Sequence, residues 1–170
     1  VIMTLDEKYL NEQADSVIIE ESGCYVGIIT KAELFETKDS KAVALNLAIK
    51  VNEDILPLSL FFKAKDGKDI AFNLRHIAHL MYLTKHKPEL NPVVRGEKLV
   101  IEELEGAGIG VIVECKQNDG RVERRIQTFV DMKYKRTAKE NKDGVDTPVT
   151  WNKYREKYGK VVEHDDEFPF

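Results

Sequence analysis

Residues 42–51, AVALNLAIKV, place Val43, Leu45, Leu47, Ile49 and Val51 at every second position, with Ala44, Asn46, Ala48 and Lys50 between them. Side chains of an extended chain alternate between two faces, whereas a helix repeats about every 3.6 residues, so this stretch reads as a half-buried β-strand. It is the clearest periodic signal in the chain, and its neighbours are read against it.

Upstream, GCYVGIITKAELFET (residues 23–37) is a long run of β-branched and aromatic residues and reads as a strand, with TKDSK as the turn between the two. Downstream, ILPLSLFFKA puts Leu56, Leu58, Leu60 and Phe62 on one face and Ser59, Phe61 and Lys63 on the other. Pro57 has no amide hydrogen to donate, so this strand is expected to begin late or to lie at a sheet edge. The period then changes. In IAFNLRHIAHLMYLTKHK, Leu74, Ile77, Ala78, Met81 and Tyr82 share a helical face, with Asn73 as the expected cap and Pro88 beyond the end. A short strand, KLVIEEL, follows. Next come GIGVIVECK, with Ile109, Val111, Val113 and Cys115 inward, the turn QNDG, and RVERRIQTFVDMKYK, with Val122, Ile126, Val130 and Met132 inward. Three strands, one helix and a terminal hairpin match a mainly β fold, the five-stranded OB-fold Greek-key barrel, whose helix lies between strands 3 and 4, with another small α+β sheet of the same elements as the alternative.

At 170 residues the chain fits one domain with an extension, and two cysteines are too few for a disulfide scaffold. With no apolar run near the roughly 20 residues of a membrane-spanning helix and no secretory leader, a cytosolic setting without a membrane role is expected. The net charge of −4 conceals segregation. Residues 121–139 hold seven basic side chains against Glu123 and Asp131, while from Glu163 onward there are four acidic residues and no Lys or Arg. Residues 1–136 are expected to form the barrel, and residues 137–170 a polar linker and acidic tail. Within the latter, Trp151, Tyr154 and Tyr158 mark a short helix expected to dock on the barrel.

Catalysis finds no motif. GAGIGV (residues 106–111) lacks the following helix that a dinucleotide loop requires, so its glycines are read as letting a strand bend and pass close to its neighbours. His76 and His79 sit three apart but without cysteine or carboxylate companions, and Glu33, Glu36, Glu102, Glu103 and Glu105 show no convergence suited to a magnesium site. No enzyme activity, metal or cofactor is expected. The stronger signal is aromatics interleaved with cations on faces opposite the expected core: Tyr25, Lys31 and Phe35 on the first strand, Phe61 and Lys63 on the third, and Arg125, Phe129, Lys133 and Lys135 on the last. Such a surface suits single-stranded nucleic acid, because bases stack on rings whatever their identity while Lys and Arg track the phosphates.

The end of the chain, DDEFPF, resembles the acidic C-terminal tip of the bacterial single-stranded DNA-binding proteins, in which a run of Asp precedes Ile-Pro-Phe. Asp165, Asp166 and Glu167 match the acidic run, Pro169 and Phe170 match the last two residues, and Phe168 replaces the isoleucine. Residues 23–51 are similar to the first strand pair of phage-encoded OB-fold single-strand binding proteins. The resemblance implies a protein that coats unwound DNA in replication, recombination and repair and recruits partner proteins through residues 165–170. A protein-recruiting adaptor and an RNA-binding module of the same fold are the competing expectations, and a homo-oligomer is compatible with either.

Overall fold

The computed structural model describes residues 19–159 and 162–163. Eight strands join one sheet: β1 (Gly23–Glu36), β2 (Val43–Val51), β3 (Asp54–Lys63), β4 (Val93–Arg95), β5 (Lys98–Val100), β6 (Gly108–Asn118), β7 (Arg121–Val130) and β8 (Val162–Glu163). Among the described residues three helices accompany them, α1 (Ala71–Leu83), α2 (Ala138–Lys142) and α3 (Val149–Tyr158), with one 3-10 turn at Glu102–Leu104. The protein is mainly β, and every strand pair is antiparallel except β1 with β8.

β1 organises the sheet. Its first half, Gly23 to Ile28, pairs with β6, and its second half, Ile28 to Glu36, pairs with β2. A bulge between Ile29 and Lys31 marks the change, with Thr30 left over and its hydroxyl donating to the Ala48 carbonyl at 3.2 Å. An extra residue bends a strand and exchanges its faces. Tyr25 and Ile29 therefore point into the core before the bulge, while Lys31 and Phe35, of the same parity, point out after it.

β3 lies at one edge of the sheet, which is where Pro57 is tolerated, and β7 at another. These two edges approach each other without a ladder among the described residues. They are joined by the Arg124–Asp54 ion pair, and α1 packs against both. The main core lies inside this curl: Leu45, Leu47, Ile49 and Val51 of β2, Leu56 and Leu60 of β3, Ile77, Leu80 and Met81 of α1, Ile109, Val111 and Val113 of β6, and Phe129. The alternation of β2 is thus realised as read. The face of α1 is rotated from the expected one, because Leu80 is buried where Ala78 and Tyr82 are exposed. Asn73 does not cap α1. Its amide donates to the Phe61 carbonyl at 2.7 Å and ties the helix to β3.

Of the glycines in GAGIGV, Gly106 turns the chain at φ 81° in open space, and Gly110 acts by close approach. A Cβ on Gly110 would lie 2.8 Å from the Val130 carbonyl oxygen, and one on Gly27, in the paired strand, 2.9 Å from that of Lys50. Backbone cannot retreat as a side-chain tip can. Gly110→Ala is expected to cost about 1–3 kcal/mol through overpacking, read as a lower denaturant midpoint. The β6–β7 turn falls within the expected QNDG but is narrowed to two residues, Asp119 and Gly120 at φ 49° and 75°, because Gln117 and Asn118 belong to β6.

Two expectations are corrected along the C-terminal part of the fold. KLVIEEL forms strand only over Lys98–Val100, followed by the 3-10 turn. Residues 137–148, expected as polar linker, carry α2, whereas the docking expected of the Trp151 helix is realised. Thr137 and Glu140 close a capping box on α2, the Glu140 carboxylate also accepts the Thr150 amide and hydroxyl (3.0 and 2.9 Å), and α3 docks through Trp151. Short-range capping offsets the orphan donors of a helix of only five residues. Residues 165–170, expected as the partner-binding tip, lie outside the described residues.

Candidate nucleic-acid interface

The outer face of β1, β2 and β3 is built from cross-strand rungs. Phe35 pairs with Ala44 and Ala44 with Phe61; Glu33 pairs with Asn46 and Asn46 with Ser59; Lys31 pairs with Ala48 and Ala48 with Pro57. Strands lie about 4.8 Å apart, so the two phenylalanines stand roughly 10 Å from each other at their backbones, either side of a methyl group. Phe35 is 48% and Phe61 39% exposed, while Ala44 between them is fully covered. Beneath this pair the Ser59 hydroxyl donates to the Asn46 amide oxygen at 2.8 Å, which leaves the amide nitrogen of Asn46 for a ligand. Glu33 is held by Lys31 (3.6 Å) and Lys98 (3.5 Å), and the exposed Lys50 adds a further cation on the same face. The rungs therefore combine two open rings, amide and hydroxyl groups, and three lysines against one carboxylate.

Of the residues expected to bind nucleic acid, Lys31, Phe35 and Phe61 are brought together here, and the remainder divide. Lys63 leaves the face, because a register shift opposite Val43 and Ala44 pairs it with Val43, and its ammonium is bound to Asp69. Arg125 is exposed on β7, bordering the cleft between β7 and β3 rather than the rungs. Lys133 and Lys135 are not on a strand. β7 ends at Val130, where the Asp131 carboxylate accepts the Tyr134 and Arg136 amides and turns the chain, with Lys135 at φ 60°.

Two expected site residues belong to the core. Tyr25 is buried, its hydroxyl donates to the Glu21 carbonyl, and burial pushes its pKa up to about 12. Phe129 is buried because a bulge between Ile112 and Val113 pairs Ile112 with Thr128 but Val113 with Ile126. The extra residue, Gln127, reverses the faces of the strand after it, so parity counted from Val122 assigns Phe129 to the wrong side.

The aromatics missed from the sequence are Phe72, 63% exposed at the start of α1, and Tyr134, 52% exposed after β7. Phe72 packs edge-on against His76, with ring centres 4.6 Å apart, and both line the β3–β7 cleft with Arg125. Its absence from the apolar face of α1 was the available signal. Burial holds the His76 and His79 pKa values below the ordinary histidine value. No cluster of three or more potential metal ligands is present among the described residues, where no helix is long and apolar enough to cross a membrane. The acidic residues considered for a cation are in part spent on neighbours: Glu33 as above, and Glu105 on Arg95 at 3.0 Å.

No protein-family model matches the chain, and no curated protein matches it.

Proposed function

We propose that the protein binds single-stranded DNA without sequence preference through the outer face of β1–β3. The carrying observation is the Phe35–Ala44–Phe61 rung, two solvent-open rings on a strand face that also presents Lys31, Lys50 and Lys98. An apolar ring pair is costly to leave in water without a partner, and bases supply flat partners of any identity. The order of the long strands, with α1 between β3 and β6 and a bent β1 shared by both halves, supports the OB-fold reading of the architecture, in which strands 2 and 3 carry the nucleic acid. On this reading the protein coats unwound DNA in replication, recombination and repair, of a phage in its bacterial host on the resemblance above. Residues 165–170 recruit partner proteins, and the chain performs no catalysis.

Fluorescent oligo-dT titrated at low salt is expected to bind well ahead of duplex, with affinity falling as salt rises. Phe35→Ala and Phe61→Ala should each weaken it by about 5–150-fold, the equivalent of one lost base stack. Unchanged affinity in both variants would remove the face from the interface. A ribo-oligomer of equal length is expected to compete no better than the deoxy form; a clear ribo preference would reassign the protein to RNA through its 2′-hydroxyls.

A further inference from the structure

We infer that the turn from Asp131 to Arg136 is a second nucleobase site, in which Tyr134 stacks on a base while Lys85 and Lys133 meet the flanking phosphates. The inference rests on the single-strand reading above and extends it to a part of the surface away from the β1–β3 rungs.

Tyr134 is an exposed ring, and its hydroxyl makes no hydrogen bond among the described residues. Its backbone is nonetheless fixed. One Asp131 carboxylate oxygen accepts the Tyr134 amide, the other accepts the Arg136 amide and the Asn141 side-chain amide (both 3.1 Å), and the Asp131 amide donates to the Arg136 carbonyl at 2.8 Å. A ring already ordered on a closed turn loses little freedom when a ligand arrives. The negative charge that builds the turn is also occupied by its own donors, so it offers phosphates little repulsion.

Cations surround the ring. The Arg136 guanidinium lies 4.5 Å from the ring centre, held by the Val145 carbonyl at 2.9 Å, and the Lys133 ammonium lies 5.1 Å from it. Arg136 is anchored and stays on the ring, whereas Lys133 is exposed and its side chain is long enough to turn to a phosphate. Beside the turn a cleft of about 350 Å³ runs to Leu83 and Lys85 at the end of α1 and to Gly108 and Ile109 at the start of β6. That volume is of small-ligand size, with an apolar floor and Lys85 on its far side. β7 connects this cleft to the other: Arg125 borders the β3–β7 cleft, and Val130, at the end of the same strand, lines this one. From Arg125 to Val130 the strand covers roughly 17 Å, a distance that a single strand of several nucleotides spans.

The test uses the full chain and a dT oligomer of about 16 nucleotides, the upper site size of one OB module, carrying an iodinated deoxyuridine for photocrosslinking. A covalent adduct on Tyr134, located by mass spectrometry, is the expected result. Tyr134→Ala should weaken binding about 5–150-fold with Tm unchanged, and Tyr134→Phe should bind as the parent does, since stacking needs the ring and not the hydroxyl. If the parent binds and the Phe61→Ala variant is weakened, but Tyr134→Ala binds normally and no adduct forms on the turn, the second site is wrong and the first stands. If the parent does not bind the oligomer at all, the single-strand reading falls and this site falls with it.

Discussion

Trp151→Ala is expected to lower folding stability by about 3–5 kcal/mol, the range for removing a large buried aromatic. Trp151 is buried on the outer side of the sheet, where it packs with Cys24 of β1, Ile112 of β6 and Val130 of β7. Its neighbours Tyr154 and Tyr158, stacked at 5.6 Å between ring centres, extend the same contact. A helix of ten residues is marginal in water by itself, so α3 depends on this docking rather than on propensity. Losing the indole leaves a cavity and also uncovers three apolar strand residues. The denaturant midpoint should fall, and amide hydrogens of α3 should exchange far faster than those of β2. A cost below about 1 kcal/mol, within the ordinary spread for a modest substitution, would mean that α3 does not dock as described.

Phe129→Ala is expected to cost a similar amount, about 3–5 kcal/mol, with oligo-dT affinity unchanged in the fraction that remains folded. Phe129 sits in the main core with Ile109, Val111 and the buried residues of α1. Phe61→Ala is the informative contrast. Phe61 is 39% exposed on an edge strand, so its removal should cost little stability and should act on binding instead. Unfolding curves and titrations of the two variants side by side separate a core ring from a surface one. A stable Phe129→Ala variant that had lost DNA affinity would overturn the burial of this ring and restore it to the interface.

These two phenylalanines also show how far the sequence could be read. The faces of β2 and β3 were legible from Leu45, Leu47, Ile49, Leu56 and Leu60, because in a regular strand alternation is a property of each residue's own backbone. The Asp119–Gly120 turn was legible too, since those residues tolerate the positive φ that it requires. So was Gly110, which lets its strand pass close to its neighbour. Each of these signals is complete within a few residues of sequence.

Tyr25, Phe129 and Lys63 were misplaced for one shared reason. Each was assigned with the parity of residues from which it is separated by a register irregularity, at Thr30, Gln127 and Phe62 respectively. A bulge changes which face every later residue occupies, yet it leaves no mark in composition or periodicity. Its position is selected by what the strand must meet on either side. β1 must serve β6 with its first half and β2 with its second, and Thr30 is spent at that change of partner.

The sequence by itself determined the long strands β1, β2, β3, β6 and β7, the helix between β3 and β6, the tight turn and the supply of aromatic and basic side chains. Only the tertiary structure decided which of those side chains share a surface. It set Phe35 and Phe61 on one rung across Ala44, sent Phe129 and Tyr25 inward, and formed α2 where a linker was expected. The physical reason is range: alternation and turn geometry are settled by neighbouring residues, whereas register and docking are settled by ladders and packing between segments far apart in the chain.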